Sequence, residues 1–407
     1  MQISPIHQKF QVSFSYIVHF TEGLFNPANH LLRDIIAQDG GEGQRKLFFV
    51  IDSGVQEAHP SLQTDLKEYF QTHADVLVLN GDLTVIPGGE RCKNQPELVQ
   101  QLLEAVNNFG IDRHSYMVAI GGGAVLDMVG YVASIAHRGI RHIRIPTTVL
   151  SQNDSGIGVK NSVNAFGKKN FLGNFAPPYA VLNDFNFLTT LNDRDWRSGI
   201  SEAIKVALIK DETFFRFIQE KAEKLAHRDM PAMRYLIYRC AEMHLQHIAG
   251  GDPFEQGSSR PLDFGHWSAH KLEALSNYKI RHGEAVSLGI GLDSVYSHLS
   301  GRLSADELEQ ILTVIHTLGF DLYVPELDEH LEDATHPDSL LHGLQEFREH
   351  LGGKLTIMLL DRIGKGVEVN TMDNQLVIES IRRLKQYHKQ YTPVPELNKA
   401  GNPEQLR

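Results

Sequence analysis

The sequence predicts an α/β half built on a parallel sheet, followed by a mainly helical half. Two observations carry this expectation. Through the first 150 residues, short apolar runs alternate with helical stretches, the texture of strands joined by crossover helices. From about residue 190 the texture changes and helical periodicity dominates. A boundary near 186 therefore divides an α/β domain, 1–185, from a helical domain, 186–390. The remaining stretch, 391–407, is polar with Pro, Gly and Asn, and reads as a loose tail.

In order, MQISPIHQKFQVSFSYIVHF has apolar residues interrupted by Gln, Ser and His and no basic start. It reads as a strand rather than a signal peptide. KLFFVIDSGV (46–55) is a short apolar run closed by Asp-Ser-Gly, as expected of a buried parallel strand. ADVLVLNGD (74–82) and SYMVAIGGG (115–123) repeat the pattern, and RHIRIPTTVL (141–150) adds a strand closed by Pro. Helices are expected in WRSGISEAIKVALIKDETFFRFIQEKAEKL, MRYLIYRCAEMHLQHIA and ADELEQILTVIHTLG. No internal repeat is visible.

The 407 residues carry 39 Lys+Arg against 50 Asp+Glu, a formal charge of −11. That balance argues against nucleic acid as a partner, because phosphate backbones need a broad basic face. An anionic small molecule would need a local cationic pocket instead. A hydrophobic fraction of 42% with 22% charged residues supports buried cores and argues against disorder. No run approaches the ~18 apolar residues of a spanning helix, so no membrane partner is expected and the expected location is the cytoplasm. The two cysteines, Cys92 and Cys240, supply neither a disulfide framework nor a Cys-rich zinc site.

Three groups of residues suggest chemistry. Gly121, Gly122 and Gly123 follow an apolar strand and open the helical AVLDMVGYVASIAHRG. Such glycines let backbone approach a pyrophosphate at a helix N-terminus, although they fit a tight strand-to-helix turn equally well, and a GxGxxG fingerprint is absent. Asp52, closing an earlier strand, suits a ribose hydroxyl or an ordinary turn. Asp154, Lys160, Lys168, Lys169 and Asn170 crowd into SQNDSGIGVKNSVNAFGKKNFLG, which reads as a cationic loop wrapping an anion; a solvated surface loop is the plainer alternative. Glu202 and Lys205 share a helix face, His266 and His270 are spaced i, i+4, and His282 opens HGEAV. One carboxylate and two imidazoles with an open position make a catalytic zinc site. Spacing alone does not bring Glu202, His266 and His282 together, and 21 histidines leave room for chance grouping.

These blocks resemble the 3-dehydroquinate synthase superfamily, the sugar phosphate cyclases. The resemblance runs from about 46 to 365. It includes GGERCK (88–93), GGGAVLDMVG (121–130), HRG (137–139), PTT (146–148), DSGIGVKNSVN (154–164) and GKKNFLGNF (167–175). It continues through SGISEAIK (198–205), RPLDFGHWSAH (260–270), HGEAV (282–286) and HLGGKLTIML (350–359). The resemblance implies a Rossmann-like NAD domain and a helical metal-binding domain, with the active site in the cleft between them. NAD would contact Asp52, Glu90, Lys93, Gly122, Gly123, Asp127, Thr147 and Thr148. Zinc, or another divalent metal such as cobalt, would sit on Glu202, His266 and His282. Asp154, Lys160, Lys169, Asn170, Lys205, Arg260, Asp263 and His270 would surround a sugar phosphate. Of these, Asp154, Lys160, Lys205 and the proton relay His270 would be catalytic. Arg138 would reach the phosphate of a second subunit, implying a homodimer. The implied reaction oxidises a hydroxyl with recycled NAD, eliminates phosphate, returns the hydride and closes a carbocycle by aldol addition.

Four departures from true dehydroquinate synthases bear on substrate. Their Arg-x-x-x-Asn-x-Gly-His becomes Arg260-Pro261-Leu262-Asp263-Phe264-Gly265-His266. A family lysine is replaced by Leu245, a lysine pair by Arg348 and Glu349, and an Asp-Thr segment by Asp184-Phe185. The first three weaken recognition of a substrate carboxylate, since an anion at ~4–6 Å repels it. A carboxylate beside hydroxyls makes charge-assisted bonds instead. A neutral-headed ketose phosphate, sedoheptulose 7-phosphate, is therefore expected, as in the 2-epi-5-epi-valiolone synthase branch, although His270 departs from that branch. The alternatives are a true 3-dehydroquinate synthase and a metal-dependent alcohol dehydrogenase.

Overall fold

The computed structural model describes residues 5–40, 43–250, 253–254, 262–350 and 353–391. The chain packs as two compact units, Met1–Asp195 with His244–Phe254 and Trp196–Met243 with Glu255–Arg407. This division and the texture change read near 186 are different cuts. The packing cut lies inside the helix Asp193–Lys210, and 244–254 groups with the first unit.

The first unit is built on a seven-stranded sheet. Its strands are β1 (Ile17–Thr21), β2 (Arg45–Asp52), β3 (Leu77–Leu79), β4 (Thr84–Ile86), β5 (Tyr116–Gly121), β6 (Arg141–Pro146) and, after an intervening hairpin β7–β8, β9 (Ala180–Asp184). The order is β1-β9-β6-β5-β2-β3, with β4 also beside β2, and every pairing is parallel. In β2, Leu47, Phe49 and Ile51 enter one core cluster while Phe48 and Val50 enter another, so alternation buries both sheet faces. One face packs α1 (Leu31–Ala37) and, after the short α2 (Ser53–Ala58), α3 (Leu62–Thr72), whose Leu62, Leu66, Tyr69 and Phe70 fall at helical spacing. The other packs α4 (Pro96–Asn108), entered through Pro96, and α5 (Gly123–Ile135). Each large apolar side chain so buried contributes on the order of 1.5–3 kcal/mol.

The chain leaves β2 toward β3 and β4, then crosses back to β5 on the other side of β2. The ends of β2 and β5 therefore flank a reversal of strand order, where open α/β sheets bind ligands. Asp52 and Gly121 sit there: a Cβ placed on Gly121 would lie 3.1 Å from that of Asp52.

The cationic stretch expected as a loop is a turn, Ser151–Ser155, followed by an antiparallel hairpin, β7 (Lys160–Ala165) and β8 (Lys168–Phe175). Phe166 and Gly167 form its two-residue connection, both with positive φ of 54° and 70°. Phe-Gly lacks the Asn-Gly signature of such turns, and β8 is almost wholly exposed, so no apolar alternation marked it.

The second unit is mainly helical. It comprises most of α6 (Asp193–Lys210), α7 (Glu212–Ala226), most of α8 (Met230–Ala249), α9 (His266–Leu275), α10 (His282–Leu299), α11 (Ala305–Thr317), α12 (His342–His350) and α13 (Asn374–Tyr391). A hairpin, β10 (Ile357–Arg362) and β11 (Lys365–Val369), completes it. The long periodic stretch from Trp196 is two helices, because Asp211 caps α7 by accepting from Phe214 N at 3.1 Å. Helix α10 is buried along nearly its whole length, as befits a central core helix. Gly265 has φ 78°, and a Cβ there would lie 2.7 Å from Ile290 N. One on Gly289 would lie 2.0 Å from Gly265 O, so backbones of the α9 start and α10 touch only because both residues are glycine. No described helix is long and apolar enough to cross a membrane.

Candidate active site

Helices α6, α9 and α10 each contribute one member of a carboxylate–imidazole cluster. Glu202 is fully buried on α6. Its Oε1 lies 3.7 Å from His266 Nε2 and 3.5 Å from His282 Nε2. Ligands 2.0–2.1 Å from a tetrahedral zinc sit about 3.4 Å from one another, so the three donor atoms fit one such ion. Lys205 Nζ makes an ion pair with Glu202 Oε2. Neither buried carboxylate oxygen has a hydrogen bond of good geometry. A buried carboxylate held mainly by charge is suited to a cation.

The imidazoles are oriented from behind. His266 Nδ1 lies 3.2 Å from Phe264 O, and His282 Nδ1 lies 3.1 Å from Glu273 Oε2. With Nδ1 donating, both rings present Nε2 toward Glu202, the arrangement metal-ligating histidines need. Burial opposes the Glu202 charge, but the Lys205 ammonium and the imidazoles outweigh it and hold its carboxyl well below the usual range. Burial, with Lys205, keeps His266 neutral, well below its ordinary value. Burial also opposes charge on His282, yet the neighbouring Glu202 and Glu273 carboxylates push it up to about 9. The same carboxylate field would stabilise a bound cation. His270 is exposed, its ring 5.6 Å from that of His266 and 6.2 Å from that of His282. Asp263 is partly buried, and its carbonyl accepts from His266 N at 3.0 Å, in the turn that starts α9.

The first unit gathers a second set. Gly122 precedes α5 with no side-chain cap, leaving the helix N-terminus open. A Cβ on Gly123 would lie 2.5 Å from Ser155 Oγ. Thr147 N donates to Gly121 O at 3.0 Å, and Thr148 Oγ1 lies 2.8 Å from Ser151 Oγ. Asp52 accepts from Gly54 N at 2.8 Å; burial raises its carboxyl despite that bond and one from Gly122 N. A glycine-lined helix start next to a strand-end Asp fits the pyrophosphate and ribose of a dinucleotide.

One turn further along α5, Lys93 Nζ donates to Asp127 Oδ2 at 2.9 Å, Ser162 Oγ at 3.1 Å, and Asn170 Oδ1. Asn164 Nδ2 donates to Glu90 Oε1 at 3.0 Å, and Asn170 N to Asn164 Oδ1 at 2.8 Å. Glu90, Lys93, Asp127 and Asn170 thus form one network. Lys160 and Lys169 are both exposed, at the base and near the tip of the hairpin, about 13 Å apart along a strand. Asp154 Oδ1 lies 3.2 Å from His244 Nδ1. Arg138 is exposed beyond the far end of α5, about 20 Å along the helix from Gly123. Arg260 and the tail from 392 lie outside the described residues.

Sequence reasoning passed over Glu273, His244, Ser162 and Asn164. Glu273 had a signal, since positions 266, 270 and 273 follow i, i+4, i+7 on one face. His244 meets Asp154 from 90 residues away in sequence, and nothing local marks it.

Two family models match the chain, the 3-dehydroquinate synthase N-terminal domain over 83–198 and C-terminal domain over 199–339. A 3-dehydroquinate synthase of Dictyoglomus thermophilum is 32% identical over 316 residues, covering 77% of this chain and 86% of that protein. A 2-epi-5-epi-valiolone synthase of Streptomyces glaucescens is 29% identical over 361 residues, covering 88% of each. Among solved structures, a 2-epi-5-epi-valiolone synthase from Streptomyces hygroscopicus with NAD+ and Zn2+ bound superposes with a TM-score of 0.82 at 29% identity, covering 94% of this chain and 99% of that one. A 2-deoxy-scyllo-inosose synthase complexed with carbaglucose-6-phosphate, NAD+ and Co2+ shares the fold, with a TM-score of 0.73 at 24% identity over 90% of this chain and 96% of that one. With both halves matched in sequence and the parallel sheet and helical half in place, the chain belongs to the 3-dehydroquinate synthase family of sugar phosphate cyclases.

Proposed function

We propose that this chain converts a neutral-headed C7 ketose phosphate, sedoheptulose 7-phosphate, to a carbocycle, using NAD and a divalent metal, zinc or cobalt. The observation that carries this reading is the identity of residue 263, an Asp three residues before the metal ligand His266 in the turn that starts α9. A carboxylate side chain at this position, three residues before a ligand of the cluster, would repel a substrate carboxylate and suit hydroxyls. The likeness to valiolone synthases supports the same reading.

Glu202, His266 and His282 would hold the metal, and Asp52, Gly122, Gly123, Thr147 and Thr148 the dinucleotide, with Glu90, Lys93 and Asp127 beside them. The chemistry supplied by the bound groups is Lewis-acid polarisation of substrate oxygens and reversible hydride storage. Lys205, paired with Glu202, orients substrate hydroxyls. Asp154, steadied by His244, is a hydrogen-bond acceptor for them. Lys160, Lys169, Asn170 and Arg260 stabilise phosphate and enolate charge. His270 relays a proton to solvent. Loss of phosphate by β-elimination makes the enzyme a carbon–oxygen lyase.

A homodimer is part of this reading. Arg138 lies about 20 Å along α5 from Gly123, and would reach the substrate phosphate of a second copy. Phe166, Phe171, Leu172 and Phe175 on the β7–β8 hairpin are exposed and offer apolar surface to such a copy.

The second reading, a true 3-dehydroquinate synthase, is favoured by the 32% identical relative and by His270. Phosphate release separates the two. The zinc- and NAD-loaded protein is expected to release phosphate from sedoheptulose 7-phosphate and not from its carboxylated heptulosonate counterpart; the reverse preference would establish the second reading. Asp263→Asn is expected to relax the preference, and an unchanged preference removes Asp263 as the selector. Net consumption of NAD would point to an alcohol dehydrogenase, because a cyclase regenerates its cofactor.

A further inference from the structure

Helix α10 carries more than His282. Eleven residues on, three turns along the same face, lies Asp293. It is fully buried, and no cation pairs with it among the described residues. Its Oδ2 accepts from Gly265 N at 3.0 Å and its Oδ1 from Trp267 Nε1 at 2.9 Å. The donors are the residues on either side of His266. Trp267 is itself buried, and Gly265 is held against α10 at Gly289 and Ile290 with positive φ.

We propose that Asp293 is a positioning residue for the metal ligand His266, holding the backbone before it and the side chain after it so that Nε2 stays on Glu202. This rests on the reading of Glu202, His266 and His282 as a metal site. Two observations favour it over simple helix packing. A buried carboxylate without a cationic partner is costly, and an apolar residue of similar size would pack α10 more cheaply. Both oxygens are also spent on one short segment, whereas a packing residue needs neither. His266 receives only the carbonyl of Phe264 behind its Nδ1, a weaker anchor than the Glu273 carboxylate behind His282. Asp293 supplies to the α9 start the rigidity that this carbonyl lacks.

The test measures zinc affinity directly, by competition with a chromophoric chelator at pH 8, well below the melting temperature of each variant. Asp293→Asn keeps size but offers one acceptor where two are needed. Trp267→Phe removes the indole donor together with part of the buried ring. Asp293→Asn is expected to weaken zinc binding ten- to hundredfold, Trp267→Phe by less, with circular dichroism unchanged in both. Packing alone would lower the melting temperature of the metal-free protein and leave zinc affinity as in the wild type, and that result overturns the proposal. If Asp293→Asn fails to fold, Trp267→Phe decides: wild-type affinity in that variant also overturns it. Wild-type protein that takes up no zinc, or His282→Ala that holds it undiminished, overturns the metal reading instead, and the inference falls with it.

Discussion

Arg144 is fully buried in β6, and its guanidinium ends among uncharged oxygens. It donates to Gly156 O and Gly158 O at 3.2 and 3.0 Å, and to Lys160 O and Asn161 Oδ1 at 2.8 and 2.7 Å. The five-donor fork gathers the whole segment between the Asp154 turn and β7. Arg144→Met strands four acceptors and should cost on the order of 3 kcal/mol or more in urea denaturation, with Arg144→Lys costing less. Equal stability of all three proteins would sink this account. Asp293 gives a pH signature. Burial pushes its carboxyl up to about 7, against hydrogen bonds from Trp267 and Gly265. The folded state therefore retains a proton that the unfolded chain has lost, and this group's contribution falls as pH rises from about 4 to about 7. Metal-free wild type should lose stability relative to Asp293→Asn between pH 5 and pH 8; a gain would refute the assignment. Neither residue was legible beforehand. An arginine in RHIRIP looks like a solvated edge, and an aspartate three turns into an apolar helix has no local partner. Glu202, His266 and His282 were legible through their motifs, but only folding shows that one carboxylate oxygen faces both rings.

Among elements, the approach of α9 to α10 depends on two glycines and yields a paired prediction. Gly289→Ala would drive a methyl into Gly265 O, costing several kcal/mol and weakening metal binding with it. Gly291→Ala, two residues on, meets nothing closer than 3.5 Å and removes a helix-weakening glycine, so it should be neutral or stabilising by up to about 1 kcal/mol. Thermal unfolding of the two variants checks this, and equal effects would show that the close approach is dispensable. The parallel strands were readable because burial on both faces leaves continuous apolar runs, as in Leu47–Ile51. The β7–β8 hairpin was not, because its buried positions include Asn161 and Ser162 while its phenylalanines are exposed. Polarity there follows the hydrogen-bond network rather than the sheet, and pattern reading takes such a stretch for a loop.

For the molecule as a whole, the −11 charge coexists with cations drawn inward. Lys93, Arg144, Lys205 and Lys271 are all buried, each against oxygen acceptors. The surface can therefore stay acidic while these cations serve acceptors inside the chain. The proposed sharing of sites across a dimer can be tested by complementation. Arg138→Ala and Lys205→Met should each be inactive alone, yet mixed and allowed to exchange subunits they should recover about a quarter of wild-type activity, since half the dimers carry one intact site. No recovery, with exchange confirmed by mass spectrometry, would place Arg138 outside the partner's site. The Lys93 network also bears on how relatives could be recombined. Its single ammonium binds acceptors from helix α5 and from both strands of the hairpin. A hairpin grafted from another cyclase to change its substrate would arrive without the matching lysine and aspartate. Positions 93, 127, 162 and 170 must therefore be exchanged together, and a library that shuffles them independently would consist mostly of broken combinations.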